Sequence, residues 1–332
     1  MLTAWATIRH SDGRVDMVNS GGFPILQKSA TPSSVVEYQE CAGCGARKAP
    51  APPENKQIDH IGVVRVQLPP THFNPSIFHW QGRILFASRK GWHGKLWISE
   101  LDGDYRVKSS WQLDASHPKL SPGVEDPRFF VYNNQLYLAF TGYLLQSKKG
   151  FCQLYGRLSG DASTMEAIII PTYPFAGAQE KNWQFFELDG KLHSVYSTNP
   201  FTILRHDGTQ ANLISQTKCH IQFSGAIIRG GAPPVRVGSE FYHWFHTMQW
   251  VDKKKQYGMG LYTFSSHWPF TIRRHVPFII LNADRPSSSG HSIVFPCGAE
   301  LLNGEWVISY GHNDNECRII KYNFDKVEEL LQ

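Results

Sequence analysis

The hydrophobic pattern of this chain repeats itself from residue 61 onward. Five times an apolar run ends in a tight turn carrying Gly or Asn, and a second run rich in aromatic residues follows. Each pair of runs is typical of a β-hairpin, because Asp-Gly, Asn-Asn, Asn-Gly and single Gly residues suit two-residue loops. The turn residues are Gly82, Asn134, Gly190, Gly238 and Gly304, which stand 52, 56, 48 and 66 positions apart. This spacing is close to the period of roughly 50 residues found in propeller blades.

Other apolar runs fill the gaps between the hairpins and predict further strands. They lie at 95–101, 153–158, 202–206, 258–264 and 317–322, and only residues 325–332 look helical. We therefore predict an all-β domain over residues 61–332, a five-bladed β-propeller. In such a fold, radial repetition protects the sheet edges and leaves a central funnel.

Residues 1–60 lack this pattern and predict a short irregular N-terminal extension. Gly, Ser, Thr and Pro cluster at 19–22, 29–34 and 49–53, which is turn and linker chemistry. Cys41 and Cys44 form a Cys-x-x-Cys pair that could clamp one edge of a tetrahedral zinc site. No second pair with good spacing follows, so an incomplete knuckle or two free thiols is the favoured explanation. We predict no catalytic metal and no cofactor.

Composition and charge argue against two classes of partner. The chain of 332 residues carries 33 basic and 28 acidic residues, a net charge of +5, without a basic block typical of nucleic-acid tails. The run at 253–255, Lys-Lys-Lys, is explained by a hairpin tip. The start of the chain has no signal-peptide pattern, and no apolar stretch reaches spanning length. With six dispersed cysteines, we expect a soluble cytoplasmic protein made without a cleaved signal, which binds neither nucleic acid nor membrane.

One segment, residues 123–128 with the sequence Gly-Val-Glu-Asp-Pro-Arg, concentrates candidate chemistry directly before a strand-like run. Glu125 and Asp126 are adjacent carboxylates, and neighbouring side chains of a strand point to opposite faces. Unless the chain bends between them, one carboxylate serves chemistry and the other serves structure. The alternative is a plain charged turn, which Asp-Pro sequences favour.

The predicted propeller places this segment among four others. Segments that precede the first strands of the blades converge on the axis, and here they differ from blade to blade, although blade packing alone would favour similarity. They are Asn74-Pro75, the 125–128 segment, Lys181-Asn182-Trp183, 230–234 and 292–298. The ends of the second strands add Arg89, His246 and, just beyond, Asp314. This divergence predicts a binding site at the funnel mouth.

Each of these residues also has a structural explanation. Asn74 precedes a proline, where Asn commonly stabilises a turn. Arg89 and His246 end strands, where a structural hydrogen bond is as common as a ligand contact. Lys181 could be a solvated loop charge, and Trp183 is of a type found more often in cores than in sugar-binding platforms.

In their order along the chain, the segments resemble glycoside hydrolase family 130, the mannoside phosphorylases and β-mannosidases built on five-bladed propellers. Six short motifs carry the resemblance, over about residues 73 to 323. They are Asn-Pro before a strand ending in Arg89, Gly-x-Glu-Asp-Pro-Arg at 123–128, Lys181-Asn182, Gly-x-Pro-Pro at 231–234 leading to His246, Val-Phe-Pro-Cys-Gly at 294–298, and Tyr-Gly-x-x-Asp ending at Asp314. Each motif is short, but six in register are hard to obtain by chance.

The resemblance implies cleavage of a glycosidic bond, of a β-mannoside type, in a glycoside or oligosaccharide. It implies Asp126 as the general acid, which gives its proton to the glycosidic oxygen through a sugar hydroxyl. An inverting reaction also needs a base for the attacking water, and Glu125 or Asp314 could serve. Residues implied to line the sugar site are Asn74, Arg89, Arg128, Lys181, Asn182 and His246. We expect burial and Glu125 to raise the pKa of Asp126, and Arg128 to neutralise Glu125 by a bidentate pair.

One departure from the family pattern concerns the acceptor. Phosphorylases of the family carry arginines near the opening of the third blade and at the end of its second strand. Here those places read Gln-Glu-Lys-Asn-Trp at 179–183 and Ser-Val-Tyr-Ser at 194–197. A Glu would repel phosphate, and Tyr or Ser cannot replace a guanidinium fork, so we expect water or another sugar as the acceptor. The alternatives are a phosphorylase or glycosyltransferase on the same scaffold and a non-catalytic glycan-binding propeller.

Overall fold

The computed structural model describes residues 58–332 except 93, 146–149, 174–179 and 224–225, together with the backbone of three strands in the first 57 residues. The chain divides into two compact units, Met1–Ala51 and Pro52–Gln332. The first unit contains β1 (Trp5–Arg9), β2 (Val15–Asn19) and β3 (Val36–Gln39), which form an antiparallel sheet in the order β2-β1-β3. The sequence pattern, with little periodic apolar content there, did not predict these strands. The zinc candidates Cys41 and Cys44 lie outside the described residues.

The second unit is a five-bladed β-propeller, as predicted, and it is built almost entirely from strands. They are β4 (Gly62–Val66), β5 (His72–Trp80), β6 (Arg83–Lys90), β7 (Lys95–Leu101), β8 (Val107–Leu113), β9 (Leu120–Tyr132), β10 (Gln135–Leu144), β11 (Phe151–Leu158), β12 (Met165–Ile169), β13 (Gln184–Leu188), β14 (Lys191–Thr198), β15 (Phe201–Asp207), β16 (Gln210–Thr217), β17 (Ile227–Arg229), β18 (Val235–Val237), β19 (Glu240–Val251), β20 (Lys254–Tyr257), β21 (Met259–Ser265), β22 (Ile272–His275), β23 (Ser292–Leu302), β24 (Glu305–His312) and β25 (Glu316–Asn323). One short helix, α1 (Phe324–Glu328), follows β25 and is capped by the side chain of Asn323, which accepts a hydrogen bond from the Lys326 backbone N–H. Within the described part of the chain, no helix has the length and apolarity to cross a membrane.

Blades one to three are four-stranded antiparallel sheets in chain order: β5 to β8, β9 to β12 and β13 to β16. In the fourth blade the first strand is interrupted, because β17 and β18 pair with successive parts of β19, and β21 and β22 follow outward. The fifth blade combines β23, β24 and β25 with β4 from the start of the unit. Gly62 pairs with Lys321 and Val66 with Cys317, so the two ends of the propeller close one sheet.

The first strands of neighbouring blades contact one another around the axis: β5 contacts β9 and β23, and β9 contacts β13. Aromatic rings fill the space between blades. Phe130 of the second blade stacks on Phe185 of the third with ring centroids 5.1 Å apart, and Trp244 stacks on Tyr322 at 5.9 Å. Packing of this kind between neighbouring blades holds the inner ends of their first strands in fixed positions.

Candidate active site

Three blades have the same unusual backbone conformation in their first strand or directly before it. Asn74, Asp126 and Asn182 have positive φ angles of 52°, 55° and 60°, a conformation that Asn and Asp adopt more readily than most residues. In β5 and β9 the pairing register shifts by one residue at this point, as in a β-bulge. A bulge bends the strand and redirects a side chain. We call the end of the axis where these three residues lie the funnel mouth.

The bulge in β9 lets two adjacent carboxylates reach the same cation. Residues 123–128 belong to β9, whereas the sequence pattern began the strand at Phe129. The Nη1 atom of Arg89 lies 3.1 Å from Oε1 of Glu125, and Nε lies 3.5 Å from Oδ1 of Asp126. The bend that the two carboxylates need in order to face one site is therefore present at Asp126.

Arg89 lies near the end of β6, with 3% of its side chain exposed. Its guanidinium lies 4.2 Å from the ring centre of Phe73 and 5.1 Å from that of Trp92. Among the described residues, its buried Nε and Nη1 atoms find no acceptor with hydrogen-bond geometry, so the contacts to the carboxylates are ionic and not directed hydrogen bonds. An unsatisfied buried donor costs about 1–3 kcal/mol. Two such donors on one side chain suit the oxygens of a ligand.

Asp126 is buried, and its Oδ1 accepts a hydrogen bond of 2.8 Å from Nδ2 of Asn74. Burial raises the pKa of Asp126, but the guanidinium groups of Arg89 and Arg128 and the hydrogen bond from Asn74 outweigh burial and hold that pKa below its ordinary value. The predicted rise in this pKa is therefore wrong. The sequence showed the neighbouring Glu125 but not the cations that other parts of the fold bring to the carboxylate.

Arg128 joins three blades at the axis and is completely buried. Its Nη1 donates to the backbone oxygen of Asp126 at 2.9 Å, its Nη2 to Oδ1 of Asn182 at 2.9 Å, and its Nε to the backbone oxygen of Gly231 at 2.6 Å. The predicted bidentate pair between Arg128 and Glu125 is therefore wrong, because the guanidinium is directed across the axis towards the third and fourth blades.

Lys181, at the opening of the third blade, supplies the second cation for Glu125. Its Nζ donates to Oε2 of Glu125 at 2.8 Å and lies 3.1 Å from the ring centre of Phe151. Close by in the sequence, Glu180 accepts hydrogen bonds of 3.1 Å from Nε1 of Trp183 and from the hydroxyl of Tyr196. The segments 179–183 and 194–197 are thus joined by a hydrogen bond between Glu180 and Tyr196.

His246 lies within β19, which continues to Val251, so it does not end the strand as the sequence pattern suggested. Its Nδ1 donates to the backbone oxygen of Gly230 at 2.6 Å, and its ring packs on Phe295 and Tyr257 with centroids 4.6 and 5.2 Å apart. Burial and the nearby charge of Arg128 lower the pKa of His246 to about 3. The imidazole is therefore neutral at physiological pH, with Nε2 as an acceptor.

Asp314 follows β24 in the turn before β25 and has a φ of 50°. Burial raises its pKa to about 6; Asp126 and Glu125 contribute to the rise, while Arg89 and Lys255 oppose it. Asp314 also lines a cavity of about 650 Å³ together with Trp92, Lys255 and the 285–291 loop. We call this space the blade-five cavity. A pocket of this size is in the range of small-ligand sites.

Comparison with known proteins gives a likeness of shape. No protein-family model and no curated protein matches the sequence. A glycosyl hydrolase from Bacteroides ovatus aligns over 76% of this chain and 84% of its own, with a TM-score of 0.61 and 13% identity. The β-1,2-mannobiose phosphorylase from Listeria innocua aligns over 84% of this chain and 96% of its own, with a TM-score of 0.55 and 13% identity. A third structure, from the GH130 family of mannoside phosphorylases and of glycoside hydrolases that target β-1,2-mannosidic linkages in Candida mannan, aligns over 76% and 84%, with a TM-score of 0.61 and 13% identity.

This chain has the GH130 fold. The resemblance carried by the six motifs is thereby confirmed for the architecture. A fold does not fix a substrate, so the role of each residue at the funnel mouth has to be argued from its own surroundings.

Two residues near the funnel mouth were not predicted as site residues. Trp92 is 67% exposed and packs on Phe73 with ring centroids 5.7 Å apart. Two features of the sequence could have indicated Trp92. It stands three residues after Arg89, and a Trp in a tight Gly-rich turn is poorly placed to pack into the core. Lys255 was expected at a hairpin tip, but the turn is made by Asp252 and Lys253, and Lys255 lies half-buried in β20 beside the cavity.

Proposed function

We propose that this chain is a carbohydrate-active enzyme that cleaves a glycosidic bond of the β-mannoside type, with inversion, at the funnel mouth. The observation that carries the proposal is the meeting of Glu125, Asp126 and Arg89, two buried carboxylates and a buried guanidinium that contacts both without hydrogen-bond geometry. The substrates named for the GH130 structures, β-1,2-mannobiose and mannan, support the substrate class.

Two carboxyl groups provide the acid and the base. Their surroundings move the pKa values of Asp126 and Asp314 in opposite directions, which is the usual mark of such a pair. Asp126 gives its proton to the departing oxygen through a sugar hydroxyl. Sugar oxygens that bind Nε and Nη1 of Arg89 weaken the attraction between Arg89 and Asp126 and let the pKa of Asp126 rise. Asp314, ionised above about pH 6, accepts the proton of the attacking water.

The reverse assignment makes Asp314 the acid and Asp126 the base. One observation favours it: Asp314 holds its proton to a higher pH than Asp126 does. The two assignments differ in which variant an activated substrate rescues. An aryl glycoside with an acidic phenol needs little protonation, so it rescues the variant that lacks the acid. We expect such a substrate to restore turnover to Asp126→Asn and not to Asp314→Asn. The opposite result would exchange the two roles.

Water is the proposed acceptor. Glu180 and Tyr196, which bind each other, offer phosphate no cation. Phosphorolysis is the second candidate, favoured by the mannobiose phosphorylase among the structural neighbours. Purified protein should be screened on aryl glycosides and manno-oligosaccharides with and without inorganic phosphate. We expect free sugar at a rate independent of phosphate, and phosphate-dependent release of a sugar 1-phosphate would establish the phosphorylase instead.

A further inference from the structure

The blade-five cavity has a wall that is built from pinned loops. Ser287 donates its backbone N–H to the His291 oxygen at 2.7 Å and accepts the His291 N–H on its hydroxyl at 3.0 Å. Lys254 of β20 donates to the backbone oxygen of Ser289 at 2.7 Å, and Asn313 donates to that of Arg285 at 2.8 Å. The 285–291 loop is thus fastened both to β20 and to the turn that carries Asp314.

Most of the acidic charge near this cavity is already neutralised. Glu316 lies on the cavity wall, and Arg318 contacts its Oε2 through Nε at 2.9 Å and Nη2 at 2.7 Å. Asp284 contacts Nη1 of Arg318 at 3.0 Å and Nε2 of His312 at 2.7 Å. Asp314, the other carboxylate on the cavity wall, forms no salt bridge with a cation among the described residues.

The basic groups of the cavity are, by contrast, weakly engaged. Lys255 lies with Nζ 5.6 Å from the ring centre of Trp250, and among the described carboxylates none forms a salt bridge with it. Arg285 is 68% exposed and reaches Glu316 only at 3.4 Å. His291 accepts the Lys255 backbone N–H on Nδ1 at 3.1 Å, which leaves Nε2–H as a donor in the neutral ring. The cavity therefore offers two cations and a hydrogen-bond donor beside the proposed active site.

We propose that the blade-five cavity binds an oxyanion, a phosphate or a carboxylate, carried by the part of the substrate that leaves when the glycosidic bond is cleaved. Lys255 and Arg285 supply the charge, and His291 donates a hydrogen bond. A charged hydrogen bond is short, strong and selective for an anion, so a neutral sugar gains much less from these groups. The inference rests on the proposed function for its sugar, but it concerns a different set of residues.

Binding to the full chain, measured by calorimetry with ligands that need no turnover, tests this inference. The ligands are mannose, mannose 6-phosphate, mannuronate and inorganic phosphate. We expect at least one of the oxyanions to bind roughly tenfold or more tightly than mannose. Lys255→Ala and Arg285→Ala should each remove most of that preference. Lys253→Ala, which deletes the same charge at the turn of the same hairpin, should keep it.

The ligands separate the sources of the oxyanion. Tight binding of mannose 6-phosphate or mannuronate with weak binding of inorganic phosphate supports an anionic sugar. Inorganic phosphate that binds as tightly as mannose 6-phosphate would show that the cavity recognises free phosphate, and would overturn the assignment of the oxyanion to the substrate. Equal affinity for all four ligands, no measurable binding, or an equal loss in Lys253→Ala would overturn the inference. Because no bond is cleaved, Lys255-dependent binding can be found even if the chain cleaves no glycoside, and glycoside cleavage can be found without it.

Discussion

Asn74 and Asp126 occupy the same bulge position in neighbouring blades, and a hydrogen bond of 2.8 Å joins their side chains. Repetition of the blade thus brings an amide from the first repeat onto the carboxylate of the second. The bond fixes the orientation of Asp126 and contributes to its low pKa. The equivalent Asn182 of the third blade is instead held by Arg128. The same positive-φ conformation therefore places Asn74 on the candidate acid Asp126 and places Asn182 on Arg128, which joins the blades.

Replacing Asn74 by Ala should raise the pKa of Asp126, because the variant loses one of the groups that lower it. A hydrogen bond to a charged group contributes about 1.5–3 kcal/mol, so we also expect kcat/KM to fall by roughly tenfold or more. Carbon NMR titration of the Asp carboxyl groups and the pH dependence of turnover measure the two effects. Asn212→Ala, in the outer strand β16, is the control, and an unchanged Asp126 pKa in Asn74→Ala would refute this explanation.

Replacing Gly311 by Ala should disturb Asn74 directly. A Cβ at Gly311 would lie 2.1 Å from Oδ1 of Asn74, whereas a Cβ at Gly103 meets nothing within 4 Å. Overpacking of a closed site typically costs about 1–3 kcal/mol. We expect Gly311→Ala to lower both the unfolding free energy in urea and the turnover rate, and Gly103→Ala to leave turnover unchanged. Wild-type turnover in Gly311→Ala would show that the position of Asn74 does not matter.

Asp314 should make the stability of the propeller depend on pH. Its pKa is raised to about 6 in the fold, above the ordinary value of an Asp, so the folded state binds the proton more tightly than the unfolded chain. The stability from this group is complete below the unfolded pKa and is lost as the pH rises through about 6. Asp314→Asn should therefore gain unfolding free energy relative to wild type between pH 4 and pH 7. A difference that stays constant over this range would contradict the raised pKa.

Arg128→Lys should be strongly destabilising although it keeps the charge. Lys cannot reproduce a fork that binds three oxygens from three blades, and a buried cation left with lost partners costs about 3–5 kcal/mol. Arg83→Lys, at a partly exposed pair with Glu100, should cost less than about 1 kcal/mol. Urea denaturation of both variants measures the contrast. Equal stability losses would mean that Arg128 is not a junction between blades.

Sequence alone located the elements that depend on local patterns. The five tight turns and the alternating runs beside them predicted the blades, and the divergent segments before the first strands located the funnel mouth. Asn74, Arg89, Glu125, Asp126 and Lys181 come together there. Such patterns are readable because turn chemistry and strand alternation act over a few residues.

Features that depend on distant parts of the chain could not be predicted in this way. Strands β4 and β25 pair although they lie at opposite ends of the propeller's sequence, and the sequence of neither strand identifies the other as its partner. The low pKa of Asp126 depends on Arg89 and Asn74 from another blade, so the local sequence suggested a rise. The bulge that turns Glu125 and Asp126 to one cation likewise needs the opposing register of β10.

The most direct test compares binding with turnover in Asp126→Asn, on the manno-oligosaccharide of the panel that wild type binds most tightly. A positioned general acid contributes about 10²- to 10⁴-fold to rate, so we expect kcat to fall by that factor while the affinity for the glycoside changes little. Turnover of the variant at the wild-type rate would contradict the assignment of Asp126. Glycan binding by wild type and variant alike, without cleavage by either, would replace the enzyme with a glycan-binding propeller.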